Sequence, residues 1–181
     1  TGCFNTAHGA YALRENTTAK FNTAVGACSL YANTTGADNV AVGVKALFQN
    51  TTATQNTGVG MFSLQNTSTG GNNTGLGYGT LYSNSTGAGN IAIGACSLYA
   101  NTTGSNLVAI GFKASVNNTC ASNNVAIGAC SLHGNTTGVC NVAVGYQSLR
   151  CNTTGNCSTA LGHQALVNQS TGYGNTAGGT L

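Results

Sequence analysis

One spacing constrains this chain more than any other feature. The glycine of a recurring N-x-A-[VI]-G element falls at Gly9, Gly26, Gly43, Gly60, Gly77, Gly94, Gly111, Gly128, Gly145, Gly162 and Gly179, and every interval is seventeen residues. A short fixed period marks a solenoid, because one coil cannot bury its apolar face until neighbours stack on it. Three residues before each glycine the side chain is β-branched in every copy, from Thr6, Thr23 and Val40 to Thr159 and Thr176. Such residues suit an extended strand. Immediately before the glycine stands Val, Ile or Leu from Val25 to Leu161, and between these two columns lies Ala or Gly without exception. Helical spacing is absent. The expected fold is all-β, a parallel β-solenoid of about ten coils forming a single domain over residues 1–181 that reads as a segment of a longer array. At about 4.8 Å per coil, ten steps make a rod about 48 Å long.

Strand alternation places the two β-branched or aliphatic columns on one face and the Ala/Gly column on the other. The larger residues are expected to line the interior. The Ala/Gly stripe is then expected to pack against another chain or layer, since a solvent face would tolerate Lys, Ser or Gln. Four residues after the glycine sits Leu, from Leu13 and Leu30 to Leu149 and Leu166, broken only by Ser115; it is expected to be the core residue of a second strand. Asn stands four residues before the glycine except at Leu107 and Ser158. A stacked column of this kind can form an amide ladder that satisfies its own donors and acceptors.

With five basic and two acidic side chains and no proline, solubility must come from Asn, Thr, Ser and Gly or from something attached to them. Each return loop contains N-x-[ST], at Asn16, Asn33, Asn50, Asn66, Asn84, Asn101, Asn117, Asn135, Asn152 and Asn168, with two further copies at Asn72 and Asn156. One reading makes these glycan acceptors on a secreted rod. The other makes them a copied turn, because the two positions after the loop Asn are hydroxyl columns in their own right. Asn66, Asn117 and Asn168 sit one position earlier than the rest, so occupancy need not be uniform.

The cations Arg14, Lys20, Lys45, Lys113 and Arg150 are isolated and form no basic stripe, which argues against nucleic acid as a partner. No apolar run is long enough to span a bilayer as a helix. Eight cysteines suggest an oxidising compartment. Cys140 and Cys157 are seventeen apart, so stacking brings their α-carbons within disulfide range. Cys28, Cys96 and Cys130 share another column in non-adjacent coils, and no pairing follows for Cys3, Cys120 or Cys151. His8, His133 and His163 lie in different columns of distant coils, and Glu15 and Asp38 are the only carboxylates. No acid/base pair, triad or metal-ligand set emerges. No enzymatic activity, cofactor or metal is therefore expected.

The repeated N-x-A-[VI]-G followed by a small residue and Leu resembles the left-handed parallel β-roll of YadA-like trimeric autotransporter adhesin heads and related phage and viral fibre repeats. The resemblance implies a left-handed roll and a homotrimer with parallel axes. The expected function is a structural, glycosylated, extracellular or cell-surface fibre that self-assembles as a homotrimer or end to end. The alternative is an adhesin head or tail-fibre shaft that touches a cell-surface ligand through Tyr31, Phe48, Tyr82 and Tyr99. Ice binding is a third reading, but it calls for two outward Thr separated by one inward residue on a strand, whereas the loop Thr pairs are adjacent.

Overall fold

The computed structural model describes residues 2–179. Eleven three-residue strands recur at the sequence period: β1 (Thr6–His8), β2 (Thr23–Val25), β3 (Val40–Val42), β4 (Thr57–Val59), β5 (Thr74–Leu76), β6 (Ile91–Ile93), β7 (Val108–Ile110), β8 (Val125–Ile127), β9 (Val142–Val144), β10 (Thr159–Leu161) and β11 (Thr176–Gly178). They form one parallel sheet in the order β1 to β11. Each strand pairs with the next in strict register, Thr23 with Val40 and Ala24 with Ala41 for example. The fold is an all-β solenoid of about ten turns, with like stacked on like.

The two faces of the strand are the reverse of the sequence expectation. The middle residue is inside: Ala24, Ala41, Ala92, Ala109, Ala143 and Ala160 are fully buried. Its β-branched and aliphatic neighbours point outward and are half-buried or exposed. The reason is the width of the coil. A methyl added at Gly58 would already touch Ser63 and Leu47, and one added at Gly75 would lie 2.6 Å from Ser63 Oγ and 2.7 Å from Thr80 Oγ1. The far wall is that close, so the interior accepts Ala or Gly and rejects Val. The Ala/Gly stripe is thus core lining and not an interface.

The Leu column is buried as expected, but it belongs to a turn and not to a second strand. Leu30, Leu47, Leu64, Leu81, Leu98, Leu132 and Leu149 have φ near +50° and are inaccessible or nearly so. Two other positions per coil are also left-handed, represented by Cys28, Lys45 and Phe62 just after the corner glycine and by Asp38, Gln55 and Asn72 just before the next coil. A β-branched side chain is disfavoured at positive φ. None of these three columns contains Val, Ile or Thr, in a chain otherwise rich in them. The corner glycines have φ between +100° and +138°; at Gly111 a methyl would stand 2.7 Å from the Gly128 carbonyl.

Coil seven departs from the pattern twice. Ser115 replaces the core Leu and is buried, while Leu107 replaces the strand-leading Asn and joins the apolar core. One substitution removes apolar volume and the other supplies it.

Candidate functional site

The loop asparagines were the densest chemical signal in the sequence, and the structure sorts them into two sets. Asn33, Asn50, Asn84, Asn101, Asn135 and Asn152 are fully buried. Each amide donates to the backbone oxygen three residues on, as Asn33 Nδ2 does to Gly36 O at 2.9 Å and Asn101 Nδ2 to Gly104 O at 3.0 Å. Most also donate to the amide of the preceding coil: Asn50 Nδ2 to Asn33 Oδ1 at 2.8 Å, Asn101 to Asn84 at 2.9 Å and Asn152 to Asn135 at 3.0 Å. A glycan on such a nitrogen would have to leave the interior and break both bonds. The glycans expected from the sequence at these six positions would thus fall on amides that the fold already uses. Asn16, in the first coil, is half-buried and donates to Ala19 O at 3.3 Å.

Asn66, Asn117 and Asn168 lie one step off this column. Thr67, Asn118 and Gln169 take the inner position in their coils; Thr67 and Asn118 are fully buried, whereas Asn117 and Asn168 are exposed and Asn66 half-buried. The ladder breaks only where the inner residue cannot carry it: at Thr67, both Thr67 Oγ1 and the Asn50 Oδ1 facing it lack a partner. The next hydroxyl column forms a second ladder, Thr34 Oγ1 donating to Thr51 O at 3.0 Å and Thr102 Oγ1 to Thr119 O at 2.9 Å. The hydroxyl column after it, Thr18, Thr35, Thr52, Thr86 and Thr137 among its members, is exposed.

The strand-leading Asn column is stacked and buried, but its amides bond backbone groups instead of one another, with one amide-to-amide bond within the column among the described residues, Asn39 Nδ2 to Asn22 Oδ1 at 3.1 Å. Asn39 N donates to Asn22 Oδ1 at 3.0 Å and Asn56 N to Asn39 Oδ1 at 3.0 Å, while each amide nitrogen reaches a loop carbonyl, as Asn39 Nδ2 does to Ala53 O at 2.9 Å. Two amide columns thus converge on one loop carbonyl per coil, Asn39 and Asn50 on Ala53 O for example. The three-residue separation of a loop Asn from Gly or Ala was the signal in the sequence for this inward turn.

The sheet turns an apolar face outward. Val40, Val59, Leu76, Ile91, Ile127 and Leu161 are between 36% and 49% exposed, and the Thr members of the face, Thr23, Thr57, Thr74 and Thr159, are interspersed among Val and Ile in the first strand column only. Among the described residues no strand carries two outward Thr. Elsewhere the aromatic column after the core Leu stacks on itself, Tyr31 on Phe48 at 5.1 Å and Tyr82 on Tyr99 at 4.8 Å between ring centres. Partial burial, then the neighbouring Tyr82, Cys96 and Tyr78, push the Tyr99 hydroxyl pKa up.

All eight cysteines are free thiols. Cys140 and Cys157 are exposed and occupy the same position of adjacent coils, each in a left-handed turn, and Cys157 contacts the Tyr173 hydroxyl, which raises the tyrosine pKa. Cys28, Cys96 and Cys130 are half-buried in one column; Cys3, Cys120 and Cys151 are exposed. His133 is held below the ordinary histidine value by burial first, then by Arg150 and Lys113. Among the described residues no three His, Cys, Asp or Glu gather as a metal site, and no helix is long and apolar enough to cross a membrane. A concavity over the last coil, between Ala165–Gln169 and Ala177–Gly179, is walled by apolar and amide side chains and holds no titratable group. No known protein family matches the chain, and neither a curated protein nor a solved structure matches it significantly.

Proposed function

We propose that this chain is a structural segment of an extracellular or cell-surface fibre and that it associates side by side with copies of itself through the outward face of its sheet. The observation that carries the reading is the row of exposed Val, Ile and Leu on six of the eight strands from β3 to β10, with the outward residues of β7 and β9 half-buried. Contiguous apolar surface of this extent is uncommon on a monomer. A partner must match a rise of about 4.8 Å per coil over about 48 Å, and another copy of the same solenoid meets that condition along its whole length. The three-residue strands make this face about 10 Å wide, giving about 500 Å² of projected sheet per copy. Exposed Val44, Met61 and Phe112, just past the corner glycines, widen it toward the ~800 Å² per partner of a standard interface.

The test is sedimentation of bacterially produced, unglycosylated chain beside the double variant Val40→Lys and Ile91→Lys, both in the exposed row. The parent should sediment as a discrete oligomer and the variant as a monomer with the same β-sheet circular dichroism. A parent that is monomeric at micromolar concentration would remove the proposal. The adhesin reading has weaker support, because Tyr82 and Tyr99 spend ring faces on each other. Ice binding lacks the paired outward Thr it calls for.

A further inference from the structure

The loop sequons divide by which side of the wall their asparagine occupies, and the division has a period of its own. Asn66, Asn117 and Asn168 are separated by fifty-one residues, three whole coils, or about 14 Å along the rod at the inter-coil spacing. In those coils Thr67, Asn118 and Gln169 stand in the loop amide column. The preceding asparagine is left outside, with a side-chain amide that donates to no group among the described residues. Each still has its hydroxyl two positions on, at Ser68, Thr119 and Ser170.

We infer that these three asparagines are the sites of N-linked glycosylation in this line of loops, and that the folded protein carries no glycan on the inner column. The inference rests on the extracellular reading above. Oligosaccharide transfer joins the asparagine Nδ2 to the anomeric carbon of a lipid-pyrophosphate-linked oligosaccharide. The bond from that carbon to the pyrophosphate oxygen breaks, the lipid pyrophosphate leaves, and one amide proton is lost. At Asn117 and Asn168, which are exposed, and at Asn66, which is half-buried, no side-chain hydrogen bond among the described residues would be broken and the backbone turn is untouched. At Asn101 the same substitution would sever the bonds to Asn84 Oδ1 and Gly104 O and force a sugar into a fully buried position. Asn72, exposed in a different column, passes the same test and is expected to be modified as well. The rod would thus carry sugars along one line at every third coil, with one more off that line at Asn72, leaving the inner-column asparagines of the loops between them bare.

The experiment is secretion of the full chain from a eukaryotic cell line behind a heterologous leader, followed by glycopeptide mapping of the soluble fraction that shows β-sheet circular dichroism. Glycan is expected at Asn66, Asn117 and Asn168, and none at Asn33, Asn50, Asn84, Asn101, Asn135 or Asn152. A triple variant, Asn66→Gln, Asn117→Gln and Asn168→Gln, should be secreted folded and lighter by three glycans. Glycan on any of the six inner asparagines of folded material would overturn the inference. So would folded material bare at all three outer positions, or retention of the whole product in the cell with the inner column modified. The fibre reading is tested on unglycosylated bacterial protein, so the two can fail separately.

Discussion

The break in the loop amide ladder at Thr67 offers a repair whose size can be worked out. Asn50 Oδ1 and Thr67 Oγ1 are both buried without partners, and Asn84 Nδ2, on the next coil, donates only to Gly87 O at 2.9 Å. Thr67→Asn keeps the backbone bond from residue 67 to Leu64 O, which matches that of Asn84 to Leu81 O. The new amide can donate to Asn50 Oδ1 and Gly70 O and accept from Asn84 Nδ2. Relieving one buried orphan is worth about 1–3 kcal/mol, and each new bond adds about 1 kcal/mol net. Against this stand the lost rotamer freedom of a larger side chain, under about 1 kcal/mol, and one extra heavy atom in a packed site, about 1 kcal/mol. A net gain of about 2 kcal/mol corresponds to a rise in Tm of about 4–8 °C for a chain of this length. Thermal unfolding of bacterially produced protein, followed by circular dichroism, reads it directly. The reverse change, Asn101→Thr, should recreate the break and cost about as much. If Thr67→Asn leaves Tm unchanged or lowers it, the ladder is not a stabilising element and the argument from orphaned atoms fails.

Three other outcomes follow from the same geometry. Leu107→Asn and Ser115→Leu should each destabilise the chain by about 2 kcal/mol, one by emptying the core and the other by overfilling it, and the double variant should recover at least half of the summed loss in urea denaturation. Leu98→Ile, nearly equal in volume, should cost about 2–3 kcal/mol because a β-branched residue is strained at φ +51°, whereas Leu98→Met should cost under about 1.5 kcal/mol. Because His133 is held below its usual 6.5 by burial, Arg150 and Lys113, the unfolded chain takes up that proton first as the pH falls. Stability should therefore be intact above neutral pH and decline as pH drops through the unfolded value, and His133→Gln should flatten that dependence in pH-resolved unfolding curves.

The seventeen-residue spacing of the corner glycines was enough to read the parallel stacking, the strand positions and the register, because a period without drift leaves one way to superpose coils. Which face of the strand looks inward was not readable from alternation, which separates two faces without ranking them. Volume ranks them: the wall at Leu47, Ser63 and Thr80 leaves space for a methyl at most, and that distance exists only once the coil has closed. A clue was present, since the strand-leading Asn shares its parity with the Ala column and a column of stacked amides belongs inside. The Leu turn was hidden for a different reason. Leu is at home in strands, and only the absence of Val, Ile and Thr from its column marks the left-handed backbone. The division of the loop asparagines is not displayed in the sequence, because N-x-[ST] is the same string whether the amide faces solvent or, as at Asn33, reaches inward to Gly36 O.

The strict register has a consequence for how such a chain can change in size. Each residue meets its own counterpart seventeen positions away, so excising one whole coil rejoins surfaces that already fit. Inserting a single residue instead throws both amide ladders and the left-handed turns out of phase from that point to the next coil boundary. Unequal crossing-over between copies of the repeat can therefore lengthen or shorten the protein in quantal steps that keep the stacking register, each step adding or removing one coil and one inter-coil interface.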